Sequence, residues 1–359
     1  MSQQQLQQFE FQQFVSGIVS SWRKSQLKVL ALCVQALVLR RCCTLSALAR
    51  ALPATTAVHY RLKRLARFMD NRRLDLLVGW KALAQRAAQL QPEGWLPVLV
   101  DETGLRDHAT LLTAAIPWQG RALPVAAVAY SPASLKRSIW ALRQGLIWCL
   151  YQGLGPQATR MVVVADRAFA ASHCFRWLGQ QHIHFVVRVP AKVYVQWSGW
   201  KALLSSLHLR PGCRHWLPDL RYGPKHATLN VLVVWRRDCA QPWLLASTLQ
   251  DPAEVLRLYR LRMRIEAFFK DGKGRFSLES CRLRTGARIS TFCFALLLAF
   301  WWLALCLPLP PDWEIQVRIR GKLSWLSLAL ERLDALLIEL LLDHFADTLI
   351  QPQEAYQSG

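Results

Sequence analysis

Two short apolar runs, each closed by an aspartate, constrain the fold of this chain more than any other feature. Leu96-Pro97-Val98-Leu99-Val100 leads into Asp101, and Met161-Val162-Val163-Val164-Ala165 leads into Asp166. Such runs have the length and texture of buried β-strands. In open α/β sheets functional groups gather at the carboxyl ends of strands, where both aspartates are expected. Two acids there offer hard oxygen donors to divalent cations. An aspartate after a strand is also a common cap or turn residue, so neither decides anything alone.

The surrounding texture supplies an order of elements. Leu111–Ile116 and Ala122–Tyr130 read as two more strands, split by Gln119-Gly120, and a helical stretch runs from about Leu135 to Gln152. Three strands, a helix, a strand, and then further helix and strand is the order of an RNase H-like domain. Between Phe185 and Thr248 the pattern changes to short strands with Gly and Pro turns: Phe185–Val189, Ala191–Trp197, Leu229–Trp235 and Trp243–Thr248. The expected fold class is α/β, an RNase H-like catalytic core interrupted by a β-rich insertion, with an N-terminal helical domain and C-terminal helices. The expected boundaries are 1–90 for the helical DNA-binding domain, 91–184 and 249–290 for the core, 185–248 for the insertion and 291–359 for the C-terminal helices.

Charge narrows the partner. The chain has 45 Lys and Arg against 23 Asp and Glu, a formal charge of +22 over 359 residues. Such an excess repels itself in a compact fold and suits a polyanion, DNA above all, because phosphate contacts release condensed counterions. An Arg-rich composition without functional meaning is the alternative. An apolar fraction of 53% excludes a disordered chain. The ten cysteines form no C-x-x-C pair and mostly lie in apolar runs, which suits free thiols in a reducing cytoplasm and argues against a zinc site. Phe292–Leu307 is nearly all apolar and is closed by Pro308, Pro310 and Pro311. It falls short of the roughly 20 residues that span a bilayer and is expected to be a core helix. The Gln-rich start, Met1–Phe14, lacks the apolar centre of a signal peptide.

Before the first strand the chain reads as helices. Thr44 is placed to cap a short helix that Pro53 ends, and Val58–Met69 follows with Arg61, Lys63, Arg64 and Arg67 interleaved among Leu62, Leu65 and Phe68. Two short helices about a tight break, the second basic, fit a helix-turn-helix-like DNA reader using Arg61 and Arg64. They fit a plain bundle with a solvated basic face equally well.

A third acid lies further on. Asp251 is placed to cap a helix with Pro252 in its first position. Along that helix Tyr259, Arg262, Glu266 and Lys273 fall within roughly 60° of arc at 100° per residue. Arg257, Arg260, Arg264, Lys270 and Arg275 surround the acid, so Glu266 is either a salt-bridge partner or a metal ligand within a phosphate-binding surface.

The Tyr259–Arg262–Glu266–Lys273 spacing resembles the Y-R-E-K signature of the insertion sequence four family of DDE transposases. Val100-Asp101-Glu102-Thr103 is similar to that family's D-D-T segment, Asp166-Arg167-Ala168-Phe169 to its D-R-G-F, and Arg67-Phe68-Met69-Asp70-Asn71 to a stretch of its N-terminal region. Glu102 and Ala168 depart from the pattern without removing a carboxylate, and the chain is shorter than many relatives, chiefly through a modest insertion.

The resemblance implies an enzyme: a transposase that cuts and joins DNA at insertion-sequence ends. It implies Asp101, Asp166 and Glu266 as catalytic residues holding two Mg²⁺ ions, with Mn²⁺ able to substitute, and Tyr259, Arg262 and Lys273 as holders of phosphates. Its partners would be double-stranded DNA, both terminal inverted repeats and target, and a second copy of the chain in a homodimer, on the nucleoid in a bacterial cytoplasm and not at a membrane. Family members often pass through a DNA hairpin with a flipped base stacked on an aromatic ring, for which Trp197 or Trp200 is the candidate. The alternative is a domesticated, non-catalytic DNA-binding protein of the same fold. His182-x-His184 suggests zinc but lacks a spaced Cys partner, and His108 and His173 make no better case.

Overall fold

The computed structural model describes residues 3–52, 56–106, 109–135, 138–207, 209–224, 226–307 and 324–350. They divide into two compact units, Met1–Ala299 and Phe300–Gly359.

The first unit opens with five helices: α1 (Gln3–Ser16), α2 (Lys24–Arg40), α3 (Leu45–Ala51), α4 (Val58–Met69) and α5 (Leu76–Leu90). Thr44 caps α3, its hydroxyl accepting from the Ala47 N–H at 3.3 Å, and Asp75 caps α5 in the same way from Leu77 at 3.0 Å. The Pro53 break between α3 and α4 lies outside the described residues.

Three long strands follow, β1 (Leu96–Leu105), β2 (Ala109–Trp118) and β3 (Arg121–Tyr130). Gln119 and Gly120 both have positive φ, 43° and 80°, which is how a two-residue hairpin matches the twist of its strands. The next elements are α6 (Ile139–Leu154), β4 (Met161–Ala165), α7 (Ser172–Gln180) and β5 (His184–Arg188). The β-rich segment adds β6 (Tyr194–Trp197), β7 (Trp200–Leu203), β8 (Arg214–Tyr222), β9 (Ala227–Val234) and β10 (Trp243–Ser247).

All ten strands form one sheet in the order β3-β2-β1-β4-β5-β10-β9-β8-β6-β7. β1 pairs with β4, and β4 with β5, in parallel; the other pairings are antiparallel. Every residue of β4 is buried, as its unbroken apolar run requires. His184–Arg188, where the sequence reading began the insertion, pairs with the core strand β4, and the strands beyond continue the same sheet. Phe175 on α7 binds the halves together, stacking on Phe185 at 4.8 Å and meeting Tyr222 edge-on at 5.1 Å.

Helices cover both faces near β1. Ala84 and Ala87 of α5 and Leu150 and Leu154 of α6 pack on Leu96 and Val98. Three more helices follow the sheet: α8 (Pro252–Arg260), α9 (Met263–Gly274) and α10 (Gly286–Leu305). Successive strand residues point to opposite faces, so Asp101 faces away from Leu96 and Val98. Of the described helices α10, taken alone, is the one long and apolar enough to cross a membrane. Phe292–Ala299 are all buried, Phe294 packs on Trp22 at 5.8 Å, and a Cβ at Gly79 would sit 2.2 Å from the Phe294 ring. That packing is what a core helix makes. In the second unit α11 (Trp325–Ile350) begins at Ser324, whose hydroxyl accepts from the Ser327 N–H at 3.3 Å; Pro308, Pro310 and Pro311 lie outside the described residues.

Candidate active site

Asp101 sits in the middle of β1, not at its end, because pairing with β2 continues to Leu105↔Ala109. The parallel pairing with β4, however, stops at Val100↔Ala165. Asp101 and Asp166 therefore occupy the next step on two neighbouring strands. Asp166 also begins a 3₁₀ turn, Arg167–Phe169, accepting the Ala168 N–H at 2.9 Å.

Glu266 arrives from the helical segment after the sheet. Asp251 caps it as expected, accepting from Ala253 at 2.8 Å, with Pro252 in the first turn. The segment is two helices, not one. α8 ends at Arg260 and α9 starts at Met263, and across the join the backbone bonds tighten to i→i−3 at Leu261, Arg262, Arg264 and Ile265.

This join changes what the four signature residues do. Arg262 donates to Asp101 Oδ2 at 2.9 Å and to Glu266 Oε1, bridging two acids. Its Nε is buried without a partner. Burial pushes the Arg262 guanidinium's pKa down, but Tyr259, Asp101 and Glu266 outweigh it and hold it above its usual value. Tyr259 is buried, with its ring edge-on to Trp243 at 5.1 Å, and burial raises its pKa. Lys273, two turns beyond Glu266, pairs with Glu279 at 3.0 Å.

Asp101 feels both its burial and its neighbours. Burial pushes Asp101 up to about 6; the Glu102 backbone N–H and Arg262 oppose that rise, while the charges of Asp166 and Glu266 add to it. Glu266 is the accessible member, its side chain 45% exposed against 15% for Asp101. Among the described residues no three His, Cys, Asp or Glu side chains form a ready metal cage, and the Arg262 guanidinium is the cation shared by Asp101 and Glu266. The donor set nevertheless fits a divalent cation. It is all carboxylate oxygen, and a cation would offset both the burial that chiefly raises Asp101 and the smaller repulsion from its neighbours.

A second network was missed by the sequence reading. Glu102 accepts from Arg143 Nε at 2.8 Å and from the Tyr130 hydroxyl at 3.1 Å. Arg143 also donates to the Ala168 carbonyl at 2.6 Å and lies over the Phe169 ring at 4.3 Å. It thus ties β1 to the turn that carries Asp166. The signal was present: Arg143 is a lone cation in the apolar helix α6.

Other expected residues lie elsewhere. Trp197 and Trp200 face each other across the β6–β7 hairpin. That hairpin is five strands beyond β4, about 24 Å at the usual spacing. Arg61 donates to the Leu52 carbonyl at the end of α3, whereas Arg64, Lys63 and Arg67 are exposed. Asp70, in the N-terminal family-like stretch, pairs with Arg288 of α10 at 3.1 Å. His184 bonds Thr248 at 3.1 Å, His182 is exposed in the preceding turn, and His173 meets Trp140 edge-on; His108 lies outside the described residues. No disulfide joins any of the ten cysteines.

Asp101 and Asp166, at matching steps of adjacent parallel strands, and Glu266, on a covering helix, form a cluster of acids in a strongly basic chain. One comparison with protein families gives a match. The model of the transposase DDE domain matches residues 151–302, a span that includes Asp166 and Glu266, and it supports a DDE transposase whose substrate is DNA. No curated protein matches the chain.

Proposed function

We propose that the protein is an insertion-sequence transposase of the insertion sequence four type, cutting and joining double-stranded DNA at the element's terminal repeats. The observation that carries this reading is the convergence of Asp101, beside Asp166 on the neighbouring strand, with Glu266 from α9, Arg262 bridging Asp101 and Glu266. Asp101, Asp166 and Glu266 would hold two Mg²⁺ ions, for which Mn²⁺ would substitute. When bound, such ions polarise a phosphodiester oxygen and stabilise both the attacking and the leaving oxygen.

The chain's own groups do the positioning. Arg262 orients Asp101 and Glu266, and Tyr259, packed on Trp243, braces the α8–α9 join that presents Arg262. Arg262, at the start of α9, and Lys273, in its last turn, hold phosphates of the cleaved end, and Arg64 on α4 contacts DNA further out. A pair of copies acts on paired ends in the cytoplasm.

Glu266→Gln tests this directly. It keeps shape and hydrogen-bonding capacity but removes the charge. Cutting of DNA bearing the element ends, with Mg²⁺ present, is expected to fall by at least about 10³-fold, with DNA affinity within about twofold of wild type. Gels for nicked and joined products beside a binding titration read both. Normal cutting by Glu266→Gln would remove it as the third ligand, and binding without cutting by wild type would favour the non-catalytic DNA-binding reading.

A further inference from the structure

Away from the carboxylates, a cavity of about 500 Å³ is lined by Arg106, Cys281, Arg282 and Arg284. Three arginines around one hollow repel each other, and among the described residues none of the three has an acidic partner. Residues 281–284 leave the turn with Cys281 extended and alternate in burial: Cys281 and Leu283 are buried, and Arg282 and Arg284 are exposed. Two residues of extended chain span about 7 Å. The two guanidiniums therefore stand on one face at a spacing of about two nucleotide rises along a DNA strand. Arg106 comes from a different part of the chain, directly after β1, with φ at 51°. A non-glycine residue rarely adopts that conformation, and such strain collects at binding sites.

The place of this cavity gives it meaning. Arg106 lies five residues beyond Asp101, one past the end of β1, about 17 Å away along the strand direction. The segment carrying Arg282 and Arg284 continues from α9, which carries Glu266, through the turn whose Glu279 pairs with Lys273. We infer that Arg106, Arg282 and Arg284 form a phosphate-binding pocket for the DNA duplex leading away from the carboxylates, about five base pairs from them. This deepens the transposase reading and rests on it for the identity of the polyanion. The pocket grips backbone and reads no sequence, since guanidiniums that meet phosphates fix register only.

The test is the salt dependence of binding to a duplex of about 30 base pairs and arbitrary sequence, which needs no cleavage. Each phosphate contact contributes about 0.9 to the slope of log affinity against log salt. R282A/R284A is expected to lower that slope by about 1.8, and R282K/R284K to keep it. Both side chains are exposed, so the melting temperature should stay at the wild-type value. Arg106→Ala, in a separate loop, should lower the slope by about 0.9 and provides the reading if the double variant does not fold. A wild-type slope in R282A/R284A, or no binding of duplex DNA by the wild-type chain, overturns the inference. A lowered slope without cleavage by wild type in any metal keeps the pocket and discards the transposase reading. Normal cleavage with an unchanged slope discards the pocket alone.

Discussion

Asp101 and Glu102 are adjacent in β1, point to opposite faces, and each binds one arginine at 2.8–2.9 Å. The ion pairs are similarly shielded, with side-chain exposures of 15% and 14% for Asp101 and Arg262 and 19% and 10% for Glu102 and Arg143. Their surroundings differ. Both oxygens of Glu102 are met by donors, and Arg143 has a carbonyl and an aromatic face as well. Asp101 instead faces two more acids, and its arginine has a buried Nε with no partner. One acid–arginine pair is a closed structural joint. The other is left short of positive charge, the condition in which a carboxylate cluster gains from a bound cation. Burial and pairing do not separate structure from function here; the completeness of the surrounding partners does.

The largest expected break of this contrast is Arg143→Ala. It leaves the half-buried Glu102 with Tyr130 alone and should lower the free energy of unfolding by about 3 kcal/mol, read by denaturant titration. The matching Arg262→Ala should cost less than half as much, because Asp101 can take up a proton when its cation is removed. Equal losses would erase the distinction.

A smaller effect of opposite sign is expected at Asp101. Its folded pKa of about 6 lies above the ordinary 3.8. Keeping it ionised therefore costs stability above about pH 6, and that cost fades as pH falls towards about 4. Asp101→Asn should stabilise the metal-free protein by on the order of 1–3 kcal/mol near neutral pH, with the gain shrinking in acid. Denaturation at several pH values in chelator measures this, and a gain that grows towards low pH would contradict it. The smallest effect is Tyr130→Phe, which removes one hydrogen bond to Glu102 and should cost about 1 kcal/mol in the same assay.

The two pairs were unequally legible in the sequence. Met161–Ala165 announced itself because a strand buried on both faces tolerates no polar residue. Asp101 was found as the end of an apolar run, yet β1 continues through Glu102, Thr103 and Gly104 because β2 supplies their partners, which no local pattern contains. Glu266 came from spacing and family resemblance. The break before it was invisible, since Leu261 and Arg262 are both good helix formers and keep helical backbone angles. β8 escaped notice for a different reason. Arg214, His215, Asp219 and Arg221 are exposed, and the pairing shifts between Leu217 and Leu220, so its alternation is broken midway. Arg143 was readable in principle, but its partner lies 41 positions away in sequence.

The outer border of the sheet on the β3 side is sealed by α10. The Ala129 N–H donates to the Ser290 hydroxyl at 2.9 Å, and Gly286 lies so near the Ala129 carbonyl that a Cβ there would come within 2.4 Å of the oxygen. At the other border β7 is only four residues long. A strand's free amide edge is a template for self-association, and short or covered edges suppress it. Neither border therefore offers a second copy a long, fully open row of backbone donors and acceptors to pair with.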